Sequence, residues 1–393
     1  MSKQYIAKSI EKMPTSGIRK FFDVVSTMEG VISLGVGEPD FETPWHVREE
    51  AITSIEKGKT AYTSNQGMIP LRQAIADYLY EKYDIKYDAE KEVLITVGAS
   101  EGIDLALRAI CEIGDEVLVV EPSYVSYKPC VVMAGGVPVP LTTKEENDFR
   151  LTVSDIEEKI TDKTKAIILP YPNNPTGAIM EKKDLEAISD IIIKNDLVVI
   201  SDEIYGELTY GRKHVSIASL PGMHERTIVL NGFSKAFAMT GWRLGYAAAP
   251  KPFIKQMTKI HQYIIMCAPT MSQYAGLEAL TSEDREEDVD IMREAYDERR
   301  RVMVDGFRNM GLSCFEPMGA FYVFPCIKST GLTSDEFCER LLYEENVAVV
   351  PGTAFGECGE GFIRCSYAYS IESIKGALER IEKFVKKVKN ENN

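Results

Sequence analysis

Lys235, with Ser234 beside it and Arg243 eight positions on, is where this chain is best equipped for chemistry. The three stand in the loop Asn231-Gly232-Phe233-Ser234-Lys235-Ala236-Phe237-Ala238-Met239-Thr240-Gly241-Trp242-Arg243-Leu244-Gly245. Thr227-Ile228-Val229-Leu230 before it and Tyr246-Ala247-Ala248-Ala249 after it read as short buried strands. A lysine held between such strands faces apolar walls, where lost hydration lowers its pKa and leaves a nucleophilic amine. Amines of this kind form Schiff bases with carbonyl compounds. The hydroxyl of Ser234 and the planar guanidinium of Arg243 suit a phosphate.

A second group of residues stands where strands end. Candidate strands cover 93–97, 117–121, 137–141, 166–170, 197–201, 227–231 and 245–249, with helical stretches such as 101–112 and 182–195 between them. Short apolar strands alternating with helices predict an α/β fold, a mostly parallel sheet of seven strands covered on both faces in three layers. Ligands gather beyond the carboxyl ends of such strands. There stand Gly98-Ala99-Ser100-Glu101-Gly102, Tyr124, Asn174 in Pro172-Asn173-Asn174-Pro175, and Asp202 with Tyr205. Ala99 and Ser100 open a helix, and the free amides there bind phosphate. The same stretch fits G-x-S-x-G, a hydrolase nucleophile elbow, in the right strand–turn–helix setting. A hydrolase needs a histidine late in the chain, but the last is His261, and that reading leaves Lys235 unexplained. Asp202, a carboxylate at the end of a buried strand, needs a cationic or hydrogen-bonding partner. Arg364, inside the apolar strand 362–366, needs an anion.

Ser-Lys followed by Met-Thr-Gly-Trp-Arg-Leu-Gly resembles the lysine signature of the class I/II aminotransferases, pyridoxal-phosphate enzymes of fold type I. The resemblance runs from Gly35-Val36-Gly37-Glu38-Pro39-Asp40-Phe41 to Arg364. It implies that Lys235 carries pyridoxal 5'-phosphate covalently and, once displaced by substrate, serves as the general base. Asp202 would hold the proton on the pyridine nitrogen, Tyr205 and Asn174 would bond the phenolic oxygen, and Tyr124 would stack on the ring. Ala99, Ser100, Ser234 and Arg243 would bind the phosphate, joined by Tyr62 from a neighbouring subunit in a homodimer with shared sites. Gly37, Asn174 and Arg364 would bind the substrate, with the arginine gripping its α-carboxylate. One departure is Gly232, where some relatives have a second phosphate-binding serine, so that more falls to Ser234.

The implied activity moves an amino group from an L-amino acid to a 2-oxo acid with ping-pong kinetics. The branch it resembles holds aspartate, aromatic and N-acetyl-diaminopimelate aminotransferases. A C–S β-lyase could use the same residues, and a non-catalytic pyridoxal-phosphate-sensing regulator is the alternative from another class. Arg19 is a candidate for a side-chain carboxylate of the substrate.

The totals frame this reading. At 393 residues the chain accommodates a large cofactor-binding domain, 45–285, and a small α+β domain made of 1–44 and 286–393. Hydrophobic residues make up 45% and charged ones 27%, ordinary for a globular protein. A formal charge of −15 argues against nucleic-acid or anionic-membrane partners. No apolar stretch of spanning length and no signal peptide appear, which predicts a cytoplasmic protein. Eight cysteines without a C-x-x-C pair and four histidines without ligand spacing argue against a metal site and for reduced thiols.

Overall fold

The computed structural model describes residues 5–13, 15 and 28–391; Arg19 lies outside them. A two-residue strand, β1 (Ile32–Ser33), precedes the strands of the main sheet. These are β2 (Val93–Thr96), β3 (Glu116–Glu121), β4 (Val137–Thr142), β5 (Thr164–Leu169), β6 (Val198–Asp202), β7 (Thr227–Gly232) and β8 (Gly245–Ala248). They lie in the order β2-β8-β7-β6-β5-β3-β4. Each falls within a residue or two of the run expected for it. Neighbours pair in parallel except β8, which is antiparallel to both β2 and β7. The entry to β8 therefore lies at the same edge as the exits of the parallel strands.

Alternation along the strands decides which layer each residue joins. Val117, Val119, Ile168, Ile200 and Ile228 pack with Ile103, Leu107, Ile254 and Met257 from helices Gly98–Ile110 and Lys251–Ile264. The intervening Leu118, Val120, Ile167 and Val199 face the other way, onto Leu185, Ile188 and Ile192 of helix Lys182–Lys194. Further along that second face, Val93, Ile95, Val229 and Tyr246 meet helices Trp45–Glu56, Ile69–Tyr83 and Thr270–Thr281. Both faces of the sheet are thus buried, each enclosed aliphatic side chain contributing about 1.5–3 kcal/mol. A sheet walled on both sides leaves its strand ends as the place where polar groups can gather.

Helix Arg285–Asn309 leads out of this part, its charged side solvated and Met292, Tyr296, Met303 and Phe307 buried. Beyond it come β9 (Tyr322–Val323), β10 (Val347–Ala348), β11 (Val350–Pro351) and β12 (Ile363–Ser366). Strand β12 runs between β11 and β9, antiparallel to both, while β1 joins β10 in parallel. Helix Ile371–Glu391 closes this part with Ile374, Leu378, Ile381 and Val385 inward. The short helix Lys8–Glu11 rests against helix Tyr127–Met133, in a cleft whose other wall is Thr353–Glu357. No helix among the described residues is long and apolar enough to cross a membrane.

Candidate active site

The strand exits and the entry to β8 surround a cavity of about 800 Å³. Eleven of the residues singled out in the sequence line it: Lys235, Asp202, Tyr205, Ala99, Ser100, Tyr124, Asn174, Ser234, Arg243, Gly37 and Arg364. Tyr62 does not, and is 80% exposed.

Lys235 enters the cavity from the turn after β7. Its Nζ donates to the Gly37 carbonyl at 2.6 Å and lies 5.8 Å and 5.6 Å from the ring centroids of Tyr205 and Phe321. Burial, reinforced by the positive charges of Arg364 and Arg243, lowers its pKa from 10.5 to about 8, against the opposing pull of Glu38. The amine is accordingly far easier to deprotonate than a surface lysine.

Asp202 is the last residue of β6 and is 5% exposed. Its Oδ2 accepts from the Tyr127 hydroxyl at 2.8 Å and its Oδ1 from the Ile204 amide at 3.3 Å. Burial raises its pKa to about 6, and these two hydrogen bonds hold it from going higher. A carboxylate so enclosed gains from a cation placed in the cavity.

The Gly98 turn, Ser234 and Arg243 make an anion cradle. Gly98 has φ +72°, and a Cβ there would come within 2.7 Å of Arg243 Nη2; one on Gly245 would sit 2.5 Å from the Ala99 amide nitrogen. Only glycines let the helix start and the β8 entry approach this closely. Arg243 itself takes φ +51°, its Nη1 donating to the Thr240 carbonyl at 3.0 Å. No histidine lines the cavity beside Ser100, and His261 is taken up by Glu101 at 2.7 Å, which removes the hydrolase reading. Gly232 also finds its reason here. Its Cβ would meet Gly245 Cα at 2.8 Å and the Leu244 carbonyl oxygen at 2.9 Å, so a serine has no room.

Arg364, on β12, reaches the cavity from the C-terminal part and is 3% exposed. Its Nη1 donates to Asn174 Oδ1 at 3.0 Å and its Nη2 to the Gly35 carbonyl, while Nε is buried with no partner among the described residues. A buried guanidinium with an unmet donor, and with no carboxylate bonded to it among the described residues, suits an anion that arrives. Because Asn174 Oδ1 is spent on Arg364, the amide NH2 is what Asn174 offers to the cavity.

Three contributors are missing from the sequence reading. Tyr322 stands in an apolar stretch, where nothing distinguishes a hydrogen-bonding hydroxyl from core packing, and Tyr127, between Ser126 and Lys128, carries no mark of where its hydroxyl goes. Gly35 acts through its backbone carbonyl, which no side-chain pattern reveals.

The geometry meets its counterpart in known proteins. The family model described as Aminotransferase class I and II matches residues 29–381. The chain belongs to this family. Aspartate aminotransferase of Pyrococcus abyssi is 49% identical over 375 residues, covering 95% of this chain and 96% of that protein. Aromatic-amino-acid aminotransferase 2 of Thermococcus litoralis is 46% identical over 385 residues, covering 98% and 99%. The crystal structure of an aromatic aminotransferase from Pyrococcus horikoshii OT3 superposes with a TM-score of 0.90 at 48% identity, covering 93% of this chain and 99% of that one. As a class I and II aminotransferase the chain is a pyridoxal-phosphate-dependent transaminase of fold type I. A β-lyase or a non-catalytic regulator gains no support from these relatives. The residues present fit the cofactor. The Gly98–Arg243 cradle suits its phosphate, the buried Asp202 suits its pyridine nitrogen, and the pKa-lowered Lys235 suits its aldehyde.

Proposed function

We propose that the cavity transfers the amino group of an L-amino acid to a 2-oxo acid with each lining residue in a defined role. When bound, pyridoxal phosphate supplies an aldehyde that condenses with amines and a ring that spreads negative charge. Ala99, Ser100, Ser234 and Arg243 bind its phosphate, Tyr124 packs against its ring, and Tyr205 with Asn174 donates to its phenolic oxygen. Asp202 holds a proton on the ring nitrogen, which its burial favours by strengthening the attraction between the charges. Arg364 takes the α-carboxylate, with the Gly37 backbone beside it. Lys235 Nζ, whose lowered pKa eases the loss of its own proton, would take the proton from the substrate Cα and hold it in the cavity for the second half of the transfer.

The observation that carries the proposal is the pairing, in one cavity, of buried Arg364, whose Nε has no partner among the described residues, with the deprotonation-prone Lys235. Anion capture and proton transfer are thereby set at a fixed separation, as an α-amino acid requires. Substrates of the aspartate, aromatic or N-acetyl-diaminopimelate type follow from the relatives' names and the family branch.

The working unit we propose is a cytoplasmic homodimer in which Tyr62 serves the partner's phosphate site. Supporting it, the Tyr62 loop is pinned by bonds from Thr270 Oγ1 to the Ala61 carbonyl (2.8 Å) and from Asn65 Nδ2 to the Met266 carbonyl (2.8 Å). Beside that anchor Tyr263 (83%) and Ile264 (57%) are exposed, a surface suited to burial against a second copy. Residues 45–285 would form the large domain, and 1–44 with 286–393 the small one, supported by the core around Tyr296, Phe307 and Phe384, which draws mainly on 286–393 and is joined by Leu34, Tyr205, Leu208 and Tyr210.

Supplying acidic, aromatic and aliphatic L-amino acids with a 2-oxo acid acceptor tests the activity. One new amino acid should form for each keto acid released. Ammonia and pyruvate appearing without an acceptor would instead mark a lyase.

A further inference from the structure

We infer that Tyr322 is a positioning residue for both halves of the site, its ring holding the Arg364 guanidinium and its hydroxyl supporting Tyr205. The inference rests on the roles proposed above for Arg364 and Tyr205. Tyr322 belongs to β9 and is 1% exposed. It lies opposite Ser366 on β12, and Arg364, two residues from Ser366, projects from the same face of that strand. The register thus sets the ring diagonally against the guanidinium, whose Cζ is 4.5 Å from the Tyr322 centroid. Phe355 is a second ring against the same group at 4.8 Å. Asn174 and the Gly35 carbonyl fix two of its nitrogens, and the rings fix the remaining tilt of its plane.

The hydroxyl has a separate task. Tyr205 Oη and Tyr322 Oη are 2.9 Å apart and both are buried. A tyrosine hydroxyl has one proton to give. If Tyr205 gives its proton to the cofactor's phenolic oxygen, the proton in the 2.9 Å contact belongs to Tyr322. Such a chain strengthens the outer bond, because each donor polarises the next. Gly37 makes the arrangement possible, since a methyl there would collide with the Tyr322 hydroxyl. The same glycine's carbonyl accepts from Lys235. One side chain therefore touches the groups proposed for substrate capture and for tuning the cofactor.

Tyr322→Phe and Tyr322→Leu in the holoenzyme separate the two tasks. The readouts are the pH midpoint of the bound cofactor's visible absorbance without substrate, and KM and kcat for an amino donor. A hydrogen bond to the phenolic oxygen stabilises its ionised form and keeps the midpoint low. Tyr322→Phe should raise the midpoint by about half a unit and leave KM within about twofold, since the ring contact is kept. Tyr322→Leu should show the same spectral shift with KM raised about tenfold. An unmoved midpoint in Tyr322→Phe overturns the hydroxyl's task, and equal KM in the two variants overturns the ring's. Tyr205→Phe and Arg364→Leu are the controls. If the first leaves the midpoint, or the second leaves KM, the underlying roles fall and the inference with them. Effects in both controls and none in the Tyr322 variants overturn the inference alone.

Discussion

Lys235→Met should make the cofactor-free protein more stable at neutral pH while abolishing its activity. In the folded chain the amine has a pKa of about 8 against 10.5 when hydrated, and burial is the main cause. That gap corresponds to a cost of about 3 kcal/mol for keeping the ammonium inside. Methionine fills a similar volume without charge, but it loses the bond from Nζ to the Gly37 carbonyl, worth about 1 kcal/mol. The expected net gain is about 2 kcal/mol below pH 8, where the penalty is complete. Between about 8 and 10.5 the unfolded chain holds a proton that the folded chain has shed, so wild-type stability rises with pH across this window. The variant's advantage should shrink there and reverse at about pH 10, once the remaining penalty falls below the contribution of the lost hydrogen bond. Urea denaturation of both cofactor-free proteins at several pH values gives the measurement. A stability difference that stays constant through the window would refute the reasoning, because a packing effect would not titrate.

Gly232→Ser, which restores the serine found in some relatives, should weaken the protein by a few kcal/mol and not tighten cofactor binding, because its Cβ meets β8 backbone; thermal unfolding and a cofactor titration check both parts. Tyr62→Ala should lower cofactor affinity about tenfold or more if the partner's phosphate receives its hydroxyl, although the side chain is 80% exposed in one chain. Affinity unchanged in a protein that sediments as a dimer would remove Tyr62 from the site.

Much of the architecture was legible because the strands are short apolar runs whose ends are marked by glycine, proline or a polar residue. Lys235, Asp202 and Arg364 stood out for a single reason: each is a charge next to residues that exclude water, and burial must be repaid by a partner. Tyr322 was hidden because an aromatic residue in an apolar stretch satisfies the packing pattern whether or not its hydroxyl is used, and Tyr127 because a tyrosine in the mixed stretch Ser126-Tyr127-Lys128 carries no sign of its partner. The constraint on Gly232 could not be read either, since it arises from Gly245, its cross-strand partner in the β7–β8 pair. The role proposed for Tyr62 rests on a second copy of the chain, which no pattern in its polar loop reveals.

The central claim is that the amine of Lys235 binds the cofactor's aldehyde covalently. Borohydride reduction of the protein saturated with pyridoxal phosphate, followed by digestion and peptide mass analysis, tests it most directly. A pyridoxyl group is expected on Lys235 and absent from Lys235→Met. A label spread over surface lysines, with none at Lys235, would contradict it.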